Sequence, residues 1–337
     1  MATQSSKFSL FEEHSIPSEG RDVLHARFML PKPPCKPRRV LFIAPLIGAG
    51  AAQSLLVFRN LTRRGCILAS FEYRGHPRST GTFELDRTVS DVRHALVWAW
   101  NYANERDLPL HGLATCFGTV PLLAQFKDEG CGVLLRTVNA ASSLFRLDQI
   151  LRLDDFAPFL SRHLGCEPSS ESILAGIVEN TIDCSSSTFR EALVEFLRRM
   201  FPELAVERDR FEELQFDRVN MARTVLQFSK ARYLDGIAVP SWIPCHFFFG
   251  RNDALMSLDT AAGREAYIGR VRSIIPHAQL HECEVDHFGR GPDREWLIQS
   301  VGDACERYDS IPVPMTGVTK PLGLGVSADD AASPVLD

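Results

Sequence analysis

The chain has 337 residues, of which 45% are hydrophobic, and it carries a formal net charge of −5 at pH 7. This mildly acidic balance argues against a nucleic-acid partner, because proteins that bind nucleic acid are usually basic. No apolar stretch reaches membrane-spanning length and the N-terminus shows no secretory signal, so the sequence predicts a cytoplasmic protein without a membrane span.

The nine cysteines are odd in number and scattered, and they form no Cys-x-x-Cys pair. This pattern argues against a disulfide framework and against a structural zinc site, and reduced thiols suit the cytoplasm. The sequence also has no glycine-rich phosphate loop and no acidic metal-loop spacing. We therefore expect neither a metal nor an organic cofactor.

Short apolar strands alternate with amphipathic helices along the first part of the chain. Residues 39–48 and 66–81 each contain an apolar strand that runs into a loop or turn. A helix is predicted from about Thr88, with apolar residues at helical spacing: Val89, Val92, Leu96 and Ala99. This alternation favours an α/β fold in which helices cover both faces of a parallel sheet.

The most informative motif is the run 111–119, in which Cys116 stands between Ala114 and Gly118. Small residues two places before and after a nucleophile are typical of a nucleophile elbow, a sharp strand-to-helix turn. The next helix is predicted from Phe117, and its N-terminus would offer the Phe117 N–H and a dipole that favours a thiolate or an oxyanion. The alternative interpretation is a buried structural cysteine, since cysteine is among the most often buried residues.

Asp253 and His287 follow Cys116 in the order nucleophile, acid, histidine. Asp253 comes just after a predicted buried strand at 243–250, at the sheet edge where ligand chemistry collects in open parallel sheets. Residues 278–285 alternate as a last strand, and His287 lies in the loop behind it. We expect His287 to accept the thiol proton of Cys116 while Asp253 orients the ring. Asp286 is the poorer orienter, because neighbouring side chains in an extended chain point to opposite sides.

Between these motifs the pattern changes. Residues 132–139 predict a strand, and no further strand is predicted before about Trp242. The roughly 90 residues between are too many for a plain loop and indicate helices. Thr188 begins a capping-box helix with an apolar stripe of Phe189, Leu193, Phe196, Leu197 and Met200. We expect a helical cap at 145–238 above the carboxyl edge of the sheet, and a flexible tail at 309–337, which is rich in proline and glycine.

Together these motifs resemble the α/β-hydrolase superfamily over about residues 8–308. The resemblance implies a mostly parallel central sheet flanked by helices, with core segments at 1–144 and 239–308 and a helical cap insertion between them. The turn within residues 66–81 is similar to the Arg-Gly-His-Gly-x-Ser-x-Gly turn of the lipase and peptidase branches, with Pro77 in place of a glycine.

The strand and loop at 39–48 resemble the family's third strand and oxyanion loop. This resemblance implies that the backbone N–H of Leu46 or Ile47 joins that of Phe117 in an oxyanion hole. Ala44-Pro45 stands where the family usually has His-Gly. The Ala-Pro form, with a short N-terminal strand pair, is similar to the bacterial acyl-thioesterase and acyltransferase branch that feeds fatty acids to luciferase.

The last resemblance favours acyl thioesters as substrates, and Cys116 with His287 and Asp253 predicts an acyl-cysteine intermediate, so we expect an acyl-thioester hydrolase or acyltransferase. Its substrate would be an acyl-coenzyme A or an acyl carrier protein. The elbow cysteine also resembles the dienelactone hydrolases, so a lactone or ester hydrolase is the first alternative. The second alternative is a non-catalytic receptor that holds a small ligand under the cap. Acyl length, acceptor and oligomeric state do not follow from the sequence.

Overall fold

The structure of the protein is a computed structural model. It describes residues 11–46, 50–127, 131–145, 233–253, 256–287 and 289–310, together with scattered positions between 172 and 191. The predicted cap at 145–238 and the predicted tail at 309–337 therefore lie almost wholly outside the described residues. Ile47 and the apolar stripe from Phe189 to Met200 lie outside them as well.

One eight-stranded sheet forms the centre of the described part of the chain, with the strand order β1-β2-β4-β3-β5-β6-β7-β8. The first two pairings, β1 with β2 and β2 with β4, are antiparallel, and all the others are parallel. The strands are β1 Phe11–Pro17, β2 Val23–Met29, β3 Arg39–Ala44, β4 Cys66–Phe71, β5 Leu110–Thr115, β6 Val138–Ala141, β7 Cys245–Gly250 and β8 Gln279–Cys283.

Helices cover both faces of this sheet. They are α1 Ala51–Val57, α2 Leu85–Asn104, α3 Thr119–Leu123, α4 Ala261–Ile274 and α5 Arg294–Tyr308. One apolar core packs α2, α3 and α4 against the sheet, and a second packs α1 and α5 against the opposite face. The mixed α/β fold with a mostly parallel sheet, predicted from the alternation of strands and helices, is confirmed.

The central strands are buried on both faces because helices cover the sheet on each side. Every residue of β3, β4 and β7 is buried, as is typical of strands in parallel sheets. Helix α2 buries Val92, Leu96 and Ala99 on one face, at the predicted helical spacing. The sequence pattern therefore predicts both the sheet interior and the helix face that packs on it.

The strand predicted at 132–139 is wrong over its first six residues. Residues Cys131–Leu134 form a 3-10 turn, and β6 begins only at Val138. Gly132 lies directly against the ring of Phe126, and the Leu135 N–H donates to the Gly132 carbonyl across the turn. An apolar run that is buried in a turn has the same composition as a buried strand, so hydrophobicity alone does not separate them.

Two arginines form ion pairs that hold the C-terminal end of α5 against β3 and the turn before β4. Arg39 of β3, which is buried, pairs with Glu306 and Asp309, and Arg64 pairs with Glu306 and Asp303. The Asp309 carboxylate also lies 3.1 Å from the ring of buried His111. Asp309, where the sequence predicts that the tail begins, is thus held against the amino ends of β3 and β5.

Candidate active site

Cys116 sits at a sharp turn directly after β5. Its backbone has φ +50°, a left-handed conformation that is uncommon for a residue with a side chain. Gly118 comes so close to the end of β3 that an added Cβ would lie 2.3 Å from the Ala44 carbonyl oxygen and 2.7 Å from that of Pro45. Only a glycine fits there, so the small residue of the predicted elbow has a steric reason. Strained backbone of this kind clusters at functional sites.

Asp253, His287 and Cys116 form a continuous chain of contacts. The His287 Nδ1–H donates to Asp253 Oδ2 at 2.9 Å, and His287 Nε2 lies 3.1 Å from Cys116 Sγ. Cys116 and His287 are 171 residues apart in the sequence. They meet because the carboxyl ends of parallel strands lie at one edge of the sheet, where loops after β5, β7 and β8 converge.

The surroundings of His287 favour its charged form. The histidine and Asp253 are both buried, and burial by itself lowers the pKa of His287. The Cys116 sulfur and the Asp253 carboxylate outweigh that effect and raise the pKa of His287 well above its ordinary value. A protonated ring beside the sulfur stabilises a thiolate, which is the reactive form of cysteine.

Asp253 is itself held in place. Its Oδ1 accepts a hydrogen bond from the backbone N–H of Met256 at 3.0 Å, which leaves Oδ2 directed at His287. Asp286, the sequence neighbour of the histidine, instead bonds Arg290 through both carboxylate oxygens. The structure thus brings Asp253 to His287 and engages Asp286 elsewhere, as the alternation of side chains predicts.

The loop behind β3 lies beside the elbow. Ala44 pairs with Ala114 in register, so the loop leaves the sheet next to Cys116. The buried Tyr73 hydroxyl donates to the Pro45 carbonyl at 3.0 Å. Because the carbonyl and the following N–H point in opposite directions across a trans peptide, this bond fixes the direction of the Leu46 N–H. Tyr73 also packs edge-on against Phe117.

A cavity of about 150 Å³ opens at Cys116, between α1 and α5. Its described lining is mostly apolar: Ile43, Leu46, Val57, Phe58, Ala141, Leu297 and Ile298. Polar groups also line it: Gln53, Ser54, Thr115, Ser142, His287 and Arg294. An apolar cavity of about this size accommodates a benzene ring, which corresponds to about six carbon atoms.

Sequence reasoning misses three residues of this site. Tyr73 belongs to the turn motif at 66–81, but the motif assigns it no role, and nothing in the sequence singles out Ser142 or Arg294. Ser142 follows β6 with φ +50°, a second strained backbone at the cavity wall. The sequence signal available for Tyr73 is its position shortly after a buried strand, among the loops at the carboxyl edge.

The described ranges contain neither a metal site nor a membrane span. No group of three or more His, Cys, Asp or Glu side chains in these ranges is arranged to hold a metal ion. Among the described helices, none combines the length and apolar character needed to cross a membrane.

Comparison with known proteins identifies the fold. No family model and no curated protein matches the chain. Among solved structures, an esterase of Pyrococcus furiosus is 12% identical and has a TM-score of 0.56, with 89% of this chain and 91% of that chain covered. A thermostable carboxyl esterase of Bacillus coagulans is 14% identical, with a TM-score of 0.58 and coverage of 89% and 99%. An enol-lactonase of Burkholderia xenovorans is 15% identical, with a TM-score of 0.50 and coverage of 84% and 96%. The chain therefore has the α/β-hydrolase fold.

Proposed function

We propose that this protein is an acyl-thioester hydrolase or acyltransferase in which Cys116 is the nucleophile. The observation that carries the proposal is the unbroken chain from Asp253 through His287 to Cys116, with contacts of 2.9 and 3.1 Å at a strained elbow. A nucleophile within hydrogen-bond reach of a base that a third group orients is the signature of covalent catalysis.

In the proposed reaction, His287 takes the proton of Cys116 and the thiolate attacks the acyl carbonyl. The oxyanion is stabilised by the backbone N–H groups of Phe117 and of Leu46 or Ile47. Collapse of the tetrahedral intermediate expels the leaving thiolate, which takes the proton from His287, and leaves an acyl-cysteine. Water or a second nucleophile then attacks the acyl-cysteine and regenerates the thiol.

Sulfur at the elbow favours thioesters as substrates. Acyl exchange between two thiolates is close to balanced in free energy, because the attacking and leaving groups are chemically alike. The mostly apolar cavity supports an acyl chain of about six carbon atoms on the substrate side. We infer that the partner is an acyl-coenzyme A or an acyl carrier protein. The seven cysteines that the structure describes are all free thiols, which supports a reducing compartment such as the cytoplasm.

The test is the intact mass of the acid-quenched protein after brief exposure to a panel of acyl-coenzyme A and acyl-carrier thioesters. We expect an acyl adduct on the wild-type protein and none on Cys116→Ala. Cys35→Ala is the matched control, because Cys35 is the other described cysteine that is not buried, and we expect it to keep the adduct. An adduct that persists in Cys116→Ala, or turnover that does not depend on Cys116, would disprove the proposal.

A lactone or ester hydrolase is the second candidate. The likeness in fold to two esterases and an enol-lactonase favours it. Under this alternative, small activated lactones or aryl esters are turned over with a higher kcat/KM than any thioester, still through Cys116. Saturable ligand binding that Cys116→Ala leaves unchanged, without turnover of any substrate class, would instead indicate a receptor.

A further inference from the structure

Arg294 brings a positive charge into the lining of the cavity at Cys116. Among the described lining residues, only Arg294, His287 and Cys116 carry an ionisable group. Its side chain is exposed and makes no hydrogen bond or ion pair with any described residue. Two other arginines do have carboxylate partners: Arg290 pairs with Asp286, and Arg64 pairs with Glu306.

The position of Arg294 on its helix gives no structural reason for a cation. It is the first residue of α5, where the helix dipole is positive and a cation is unfavourable. The two adjacent carboxylates are engaged elsewhere. Asp293 accepts the backbone N–H of Glu284 at 2.7 Å, and Glu295 accepts from Asn60 and Gln299. Neither of these carboxylates pairs with the guanidinium, and Arg294 lines the cavity at Cys116.

We propose that Arg294 is a specificity residue that binds an anionic group of the substrate, a carboxylate or a phosphate. The inference rests on the proposed function and narrows its substrate class. A guanidinium binds either group through two parallel hydrogen bonds, and it keeps its charge at every physiological pH. With the reacting carbonyl at Cys116, the anion lies either at the far end of the acyl chain or on the leaving group.

These two sources are separated by three thioesters. Hexanoyl N-acetylcysteamine carries no charge, adipoyl N-acetylcysteamine adds a carboxylate to the acyl end, and hexanoyl-coenzyme A adds phosphates to the leaving group. The measured quantity is the kcat/KM of each charged thioester divided by that of the neutral one. We expect one of the two ratios to exceed unity in the wild type and to fall about fivefold or more in Arg294→Gln, as expected for loss of one charge at close range. Arg294→Lys is expected to restore part of it.

Arg307→Gln is the matched control. It removes the same charge from the same helix, about 20 Å along the axis, and does not line this cavity. We expect it to keep the wild-type ratio. If both ratios are the same in the wild type and in Arg294→Gln, the inference is wrong even though the thioesterase proposal stands.

A second measurement needs no turnover. Iodoacetate and iodoacetamide both alkylate a thiolate by forming a carbon–sulfur bond and expelling iodide, and they differ by one negative charge. We expect the ratio of their rates at Cys116 to fall in Arg294→Gln and to stay at the wild-type value in Arg307→Gln. An unchanged ratio in Arg294→Gln overturns the inference, whereas a changed ratio without turnover of any thioester supports anion binding at Arg294 and removes the thioesterase proposal.

Discussion

Replacing Gly118 with alanine tests whether the elbow and the oxyanion loop act as one unit. The new Cβ would lie 2.3 Å from the Ala44 carbonyl oxygen and 2.7 Å from that of Pro45, whereas ordinary contacts begin at 3.4 Å. Both obstructing atoms are backbone, so no side chain can rotate away. Either the turn at Cys116 or the loop at Leu46 must therefore move by about 1 Å.

The expected cost follows from that displacement. Overpacking of a tight site destabilises a protein by about 1–3 kcal/mol. A shift of about 1 Å between reacting groups lowers a rate by about 10²-fold. We expect Gly118→Ala to lose about 1–3 kcal/mol of stability and about 10²-fold in kcat.

Denaturant unfolding and turnover of the best substrate measure the two effects, with Gly269→Ala as the control. Gly269 lies within α4, and a Cβ added there would meet nothing within 4 Å. Alanine at this position is expected to stabilise the helix by about 0.5–1 kcal/mol and to leave turnover unchanged. If Gly118→Ala matched Gly269→Ala in both measurements, the steric coupling between elbow and loop would be refuted.

Two further changes probe the supports of the site and the sheet. Tyr73→Phe removes the hydroxyl that fixes the Pro45 carbonyl, and we expect kcat to fall about tenfold or more with KM retained. A change in KM as large as the change in kcat, or no change in kcat, would contradict the positioning role of Tyr73. Burial beside His281 and Arg307 lowers the pKa of His246 to about 4. The unfolded chain therefore binds more protons than the folded one between pH 6.5 and 4, and we expect about 3 kcal/mol of stability to be lost as the pH falls through that window. Denaturant midpoints at each pH measure this loss, and a parallel profile for His246→Asn would count against it.

The part of the site that the sequence predicts is the part that chain topology determines. Cys116, Asp253 and His287 each follow a strand of the parallel part of the sheet, and parallel strands bring such positions to one edge whatever the residues between them. The small residue at Gly118 is predicted from the motif, and the structure adds the reason, which is the carbonyl oxygen of Ala44.

The part that the sequence does not predict depends on packing between distant elements. The cavity is lined by residues of α1 and α5, two helices that belong to one apolar core on the same face of the sheet. Arg294 lines it only through that packing, and its own sequence neighbours give no sign of a cavity. The Tyr73 contact with Pro45 likewise joins two loops 28 residues apart. Periodicity reports which face of an element is buried, but not which neighbour covers it.

The raised pKa of His287 supports the proposal that the nucleophile is a sulfur. Burial lowers the pKa of His287, and the contacts with Cys116 and Asp253 raise it. A serine at the elbow would contribute no charge, because a hydroxyl does not ionise at neutral pH, so one of the two favourable contributions would disappear. In the proposed mechanism His287 takes the proton of Cys116 and holds it for the leaving group. This arrangement suits thioesters, because an expelled thiolate requires that proton less than an alkoxide would.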